Sequence, residues 1–180
     1  MKPLAVLVPA IDKKIITGAT IVEDSQSSFK NGNDENYAPK NNDGYLGNVT
    51  LRRALESSQN IPFVKIMEKL TPSTSVKYLK EMGITTLTDG DTNLALSLGG
   101  IEKGISPLEM AAAYATIAND GVYIEPIFYS KITTSDGSIF LESKQKTKKV
   151  FSKSVAYVVK QLLTRSSNRF KWNCKKLCNF

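Results

Sequence analysis

The sequence predicts an α+β domain, a helical cluster joined to antiparallel sheet. Three observations carry that expectation. Several segments show apolar residues at helical spacing behind recognisable N-caps, as in T-L-R-R-A-L and S-P-L-E-M-A-A-A-Y. The stretch Val122 to Leu141 reads as strands joined by a turn at Asp136-Gly137. The chain has 180 residues with 41% apolar and 23% charged content, enough for one domain with its own core.

Taken in order, residues 1–16 open with M-K-P-L-A-V-L-V-P-A-I, an apolar helical start that Pro9 should keep short. Only Lys2 precedes it as a basic residue, and no small-residue cleavage site follows, so it does not read as a signal peptide. Residues 18–48 are rich in Gly, Asn, Asp and Ser and read as one long loop. Thr50 caps a helix whose apolar face is Leu51, Ala54, Leu55 and then Ser58. A second helix starts near Asn60, because Pro62 fits only a first turn, and carries Ile61, Val64, Met67 and Leu70. A third covers 74–82 and stops at Gly83. The apolar stretch L-A-L-S-L-G-G follows over residues 94–100. Ser106, Pro107 and Glu109 form a capping box for an Ala-rich helix ended by Asn119 to Gly121. After the predicted strands Val122–Thr133 and Ser138–Leu141, Ser152 caps a last helix with Val155, Val158, Val159 and Leu162 on one face.

The charge and the reactive residues narrow the function. Five of the seven net positive charges lie in residues 165–180 (Arg165, Arg169, Lys171, Lys175, Lys176), leaving +2 for residues 1–164. A nucleic-acid partner is therefore not expected. The tail also holds the only Trp and both cysteines, Cys174 and Cys178, and shows neither period nor cap. It reads as an aberrant basic tail, frameshifted in origin, with an ordinary basic tail as the alternative, after a domain of residues 1–164. Two cysteines without any histidine cannot complete a structural zinc site, and no metal or cofactor is expected. With no histidine, a general base must be Lys, Asp, Glu or Tyr. No run of 18 apolar residues occurs, so no membrane span is expected.

The bend Ser57-Ser58-Gln59-Asn60 poses the sharpest question. Its plain reading is capping, with Asn60 starting the second helix and Ser57 and Ser58 ending the first. A DNA-reading helix-turn-helix is disfavoured, since Ile61-Pro62-Phe63 offers nothing to base edges. The surroundings point elsewhere. The run Y-A-P-K-N-N-D-G-Y-L-G-N-V-T-L-R-R-A-L-E-S-S-Q-N-I-P resembles the transpeptidase domain of class A, bifunctional, penicillin-binding proteins. The matching positions are Tyr37, Pro39, Asn41, Tyr45, Gly47, Val49 to Arg52, Ala54, Leu55, Ser58, Asn60, Ile61 and Pro62. A-L-S-L-G-G-I-E-K-G-I-S-P-L-E-M and V-F-S-K-S-V-A-Y-V-V-K continue the resemblance in the same order to about residue 164.

That resemblance implies a partial transpeptidase fold of the β-lactamase-like type and acyl transfer through a serine ester. The family uses Ser-x-x-Lys, Ser-x-Asn and Lys-Thr-Gly motifs. Lys2, followed by Pro-Leu, matches the lysine of the first; Ser58 and Asn60 match the second. In the family the lysine takes the serine's proton, the Ser-x-Asn serine relays it to the leaving amine, and the Asn orients the substrate amide. The implied partners are a peptidoglycan stem peptide ending in D-Ala-D-Ala, and β-lactams. The nucleophilic serine would stand two residues before Met1, and no Lys-Thr-Gly occurs anywhere in the sequence. Neither Ser57 nor Ser58 stands one turn before a lysine on a shared face, so neither replaces it. The expectation is an inactive fragment of a peptidoglycan D,D-transpeptidase, with a non-catalytic stem-peptide-binding or regulatory module on the same fold as the alternative. The family is anchored in the cell membrane with this domain outside. A chain without signal or anchor is expected to stay cytoplasmic.

Overall fold

A computed structural model describes residues 1–32 and 34–164. The first helix, α1, runs as a π-helical segment Pro3–Leu7 and an α-helical segment Val8–Asp12. It is followed by β1 (Ile21–Asp24), β2 (Phe29–Asn31), β3 (Asp34–Tyr37) and β4 (Gly47–Thr50). Next come α2 (Leu51–Glu56), α3 (Ile61–Leu70) and α4 (Pro72–Glu81), then a 3₁₀ turn Leu94–Leu98. The Ala-rich helix α5 (Pro107–Ala118) leads to β5 (Val122–Ile124), β6 (Lys131–Thr133), β7 (Ile139–Glu142) and β8 (Thr147–Lys149). A last helix, α6, covers residues 153–164 within the described range. Helices and antiparallel strand pairs thus share one domain, the α+β class that the pattern predicts.

The core forms around α1. Leu4, Ala5, Val6, Leu7, Val8 and Ala10 are all fully buried. A helix apolar on every side belongs inside the protein, and α3, α4 and the 94–98 turn surround this one. Pro9 does not cut it short. Proline has no N–H to give to the carbonyl one turn back, which is that of Ala5. That carbonyl instead accepts a 2.6 Å hydrogen bond from the hydroxyl of Ser75, itself fully buried on α4. The π-helical turn ahead of Pro9 widens the backbone there, and the tertiary contact supplies the missing donor. Ser75→Ala leaves the Ala5 carbonyl without its donor. We expect it to cost about 1–3 kcal/mol in urea denaturation.

Residues 18–48 differ most from the single long loop expected of them. They contain strands β1 to β3. β1 pairs antiparallel with β4 in the register Ile21↔Thr50, Val22↔Val49, Glu23↔Asn48 and Asp24↔Gly47. β2 and β3 form a second antiparallel pair. The expected strand Val122–Thr133 is broken in two, with Pro126 in the gap unable to donate to a ladder. β5 pairs with the unexpected, all-polar β8, and β6 pairs with β7 around the turn at Gly137, which has φ +85°. The β6–β7 hairpin is exposed along both strands, with Phe140 at 73%, and Phe128 ahead of it is 90% exposed.

The helix caps follow the sequence closely. The Thr50 hydroxyl accepts the Arg53 N–H, and the Ser152 hydroxyl accepts the Val155 N–H. The third helix begins at Pro72, two residues before its predicted start. The Ser106/Glu109 capping box is present, and the Glu109 carboxylate does more than cap. Its Oε1 accepts both the hydroxyl and the N–H of Thr85, at 2.6 and 2.9 Å, tying α5 to the chain beyond α4. These bonds from Thr85, with those from Ser106, hold the Glu109 carboxyl down to about 2. A carboxyl with a lowered folded pKa stabilises the fold above its ordinary value of 4.5 and loses that contribution as pH falls towards 2. Glu109→Gln should therefore flatten the acid limb of the stability profile between those values, as read by denaturant midpoints at successive pH.

The division at residue 164 and the aberrant-tail reading of 165–180 lie outside the described residues.

Candidate active site

The bend between α2 and α3 is a Schellman cap built without glycine. The Gln59 N–H donates to the Ala54 carbonyl at 2.9 Å, and the Ser58 N–H to the Leu55 carbonyl at 3.0 Å. This wrapping requires a left-handed residue at Ser58, which sits at φ +52°. Ser58 is thus not on the apolar face of α2, as helical spacing suggested; α2 ends at Glu56 and Ser58 turns out to solvent. A Cβ in the left-handed region costs about 1 kcal/mol or more, so Ser58 is strained where a glycine would not be. We expect Ser58→Gly to raise the unfolding free energy by about 1 kcal/mol. An unchanged or lower denaturation midpoint would count against strain at this residue.

The Ser58 hydroxyl faces Lys2. The Lys2 ammonium donates to Asn60 Oδ1 at 2.8 Å, to the Ser58 carbonyl at 3.0 Å and to Ser58 Oγ at 3.2 Å. All three predicted site residues therefore meet, although 56 residues separate Lys2 from Ser58 in the chain. Lys2 stands at the N-terminal end of α1 and the bend at the start of α3, two helices packed against each other. Below the amine lies the ring of Phe63, its centroid 5.8 Å away and its side chain fully buried. Partial burial pulls the Lys2 pKa below the usual lysine value of 10.5. A lysine with a lowered pKa, touching a hydroxyl, is equipped to hand protons on.

Asn60 does not cap α3, contrary to the plain reading of the bend. Its side chain is turned to the site: Oδ1 accepts from Lys2, and Nδ2 donates to the Lys40 carbonyl at 2.7 Å. The cap comes from elsewhere. Asn41 Oδ1, on the β3–β4 connection, accepts the N–H groups of Asn60 and Ile61 at 2.7 and 3.2 Å. Asn41 Nδ2 in turn donates to Asp24 Oδ1 at 2.7 Å and to the Gly44 carbonyl at 3.0 Å. Asp24 ends β1, is fully buried, and takes the Leu46 N–H on its other oxygen at 3.0 Å. Nothing local marks Asp24 or Asn41 as a site residue in the sequence, where Asn41 is only one of the matching positions with Tyr37 and Pro39. On another side, the left-handed Gly99 lies against Met1: a Cβ built there would sit 3.2 Å from Met1 Cγ.

Among the described residues no group of three or more His, Cys, Asp or Glu is gathered as metal ligands would be. No described helix is long and apolar enough to cross a membrane.

Known proteins share both the sequence and the fold. The family model described as "Penicillin binding protein transpeptidase domain" matches residues 1–172. Penicillin-binding protein 1A of Clostridium acetobutylicum is 41% identical over 170 residues, covering 91% of this chain and 21% of the relative. Penicillin-binding protein 1F of Bacillus subtilis is 39% identical over 163 residues, covering 90% of this chain and 22% of the relative. The chain thus spans about a fifth of the length of these relatives. In fold it resembles penicillin-binding protein 1A of Haemophilus influenzae, with TM-score 0.78 and 24% identity over 92% of this chain and 28% of that one. It also resembles the PonA1 protein of Mycobacterium tuberculosis in complex with penicillin V, with TM-score 0.76 and 24% identity over 89% of this chain and 44% of that one. A family match along nearly the whole sequence, on a fold these structures share, decides the identity: the chain belongs to the penicillin binding protein transpeptidase domain family.

Proposed function

We propose that these residues are the proton-handling part of a peptidoglycan D,D-transpeptidase, with Lys2, Ser58 and Asn60 as its catalytic side chains. The observation that carries this reading is the Lys2 amine held at once on Ser58 Oγ and Asn60 Oδ1. In the proposed reaction a serine hydroxyl, one helical turn before Lys2, attacks the penultimate D-alanine carbonyl. Its proton passes to the neutral Lys2 amine and through Ser58 Oγ to the departing D-alanine nitrogen as the C–N bond breaks. An acceptor amine from a second stem peptide then takes the acyl group by the reverse route. β-Lactams would acylate the same serine. This chemistry belongs on the outer side of the cell membrane, where stem peptides lie.

A second reading is a non-catalytic unit that holds a stem peptide through Asn60 and the connection carrying Lys40, whose carbonyl accepts from the Asn60 amide. Intact mass after incubation with a labelled penicillin tests both. The 180-residue polypeptide should gain no adduct. A domain carrying the same residues, with the serine and a Lys-Thr-Gly strand added, should gain one. An adduct on the first would overturn the inactivity; none on the second, with the fold intact, would overturn the transpeptidase reading. A thermal shift of the 180-residue polypeptide with a D-Ala-D-Ala peptide tests the binding role.

A further inference from the structure

We infer that Asn41, gripped by the buried Asp24 carboxylate, is a positioning residue that pins the backbone at the start of α3 and so holds the Asn60 amide facing Lys2. The inference gives the proposed acyl-transfer site its support and rests on that reading for its catalytic meaning, not for its geometry.

An asparagine immediately before a helix ordinarily turns its side-chain oxygen onto the N–H groups of the first turn. Asn60 occupies that position and makes no such bond. Its backbone is already helical, at φ −95° and ψ −48°, Pro62 has no N–H to offer, and the Phe63 N–H goes to the Asn60 carbonyl. The N–H groups of Asn60 and Ile61 still need a partner, because an unpaired buried N–H is costly. Asn41 Oδ1 supplies one acceptor for both. The backbone that carries the Asn60 amide is thereby held from the β3–β4 connection.

Asn41 is itself fixed so that only its oxygen can face α3. Its Nδ2 is committed to Asp24 Oδ1 and the Gly44 carbonyl, both acceptors. A flipped amide would set its oxygen against a carboxylate and a carbonyl, and its NH₂ against two N–H donors. Asp24 thus acts as the switch that decides the Asn41 orientation. Its second oxygen holds the Leu46 N–H, so the same carboxylate closes the connection of residues 38–46 around Asn41. That connection also brings the Lys40 carbonyl to Asn60 Nδ2. Both ends of the Asn60 amide are therefore oriented, one by Lys40 and one by Lys2, while its backbone is pinned by Asn41. The arrangement places a carboxylate at the end of β1 behind the site without bringing it into contact with Lys2.

The test is a set of variants of the 180-residue polypeptide, read by NMR at the Asn60 side-chain amide and at Lys2 Cε. Asn41→Ala should speed hydrogen exchange of the Asn60 side-chain NH₂ at least tenfold and shift the Lys2 titration. In an Asn60→Ala background, Asn41→Ala should leave the Lys2 titration where Asn60→Ala alone puts it, although the thermal midpoint falls further. Asn41→Asp sets two carboxylates face to face and should lose the amide protection. The exchanged pair Asp24→Asn with Asn41→Asp restores a donor opposite an acceptor and should recover most of it. If Asn41→Ala does not fold, the exchanged pair against Asn41→Asp decides the matter. Unchanged Asn60 exchange and Lys2 titration in folded Asn41→Ala, or no recovery in the exchanged pair, would overturn the inference. In the serine-bearing domain Asn41→Ala should slow penicillin acylation by about a hundredfold, the effect of a misplacement near 1 Å. If that domain takes no penicillin at all while the NMR results hold, the transpeptidase reading fails and the positioning role of Asn41 stands.

Discussion

Lys2→Met in a domain that carries the nucleophilic serine is expected to lower the rate of penicillin acylation by a factor of about 10²–10⁴, the usual weight of a positioned general base. The control is Lys2→Arg. A guanidinium offers Ser58 and Asn60 the same donors and the same charge, but it does not lose its proton in a protein. If Lys2 served only to orient the bend through its bonds at 2.8, 3.0 and 3.2 Å, arginine would rescue much of the rate. If it serves as the base, arginine fails as badly as methionine. Stopped-flow acylation with a fluorescent penicillin separates the two, and near wild-type acylation in either variant would sink the assignment. The pH dependence adds a sign. Burial lowers the folded pKa of Lys2, so the unfolded chain binds the proton more tightly. Stability should therefore rise with pH between the lowered value and the ordinary 10.5, and that increment should be absent in Lys2→Met. Charging this lysine below that window works against the fold, which is the expected relation between a site and its scaffold.

What could be read ahead of the structure divides by sequence distance. Thr50, Ser106 with Glu109, Pro62 and the Asp136-Gly137 turn act within a few residues of themselves, and each appears where its chemistry places it. The strands of residues 18–48 are different. Ile21 pairs with Thr50, 29 residues away, and β4 is Gly-Asn-Val-Thr with only Val49 buried. Short half-polar strands stabilised by a distant partner leave no local period to detect. The all-polar β8 is the extreme case, a strand only because β5 lies beside it. Pro9 misled for the same reason, since the hydroxyl that rescues its helix comes from Ser75 on α4.

The site divides in the same way. Lys2, Ser58 and Asn60 were legible through the resemblance of their motifs, and the structure brings the Lys2 amine within 3.2 Å of both Ser58 and Asn60. The left-handed backbone of Ser58 was not legible, because nothing in Ser-Ser-Gln-Asn distinguishes a Schellman turn from a helix continuing to Ser58. The borrowed cap was hidden as well. A side chain that caps a helix from 20 residues away has no fixed spacing from it. Asp24 is harder still: a carboxylate at a strand end reads as surface until its burial and its two donors are seen.

Phe63→Ala should produce the largest loss of stability near the site, about 3–5 kcal/mol in chemical denaturation. The side chain is fully buried in the first turn of α3, within the core formed around α1. Against a total stability of about 5–15 kcal/mol the variant should remain folded but be easily unfolded. Its effect on Lys2 is a contest of two terms. Removing the ring takes away an attraction for the ammonium worth about 0.5–1 kcal/mol at an exposed site, and the 5.8 Å separation is already near the limit for it. That loss alone would lower the lysine pKa further. The cavity also lets water approach the amine, and burial is what lowers the pKa in the first place. Rehydration should win, so the Lys2 pKa should move up towards 10.5 in Phe63→Ala. Phe63→Leu isolates the other term, since leucine keeps the floor of the site apolar and filled while removing the ring. In that variant the Lys2 pKa should stay or fall. A fall in both variants would mean that the ring's charge attraction, not the dry floor it provides, governs the proton affinity of the amine. The Lys2 base would then have to be explained by its contacts with Ser58 and Asn60 alone.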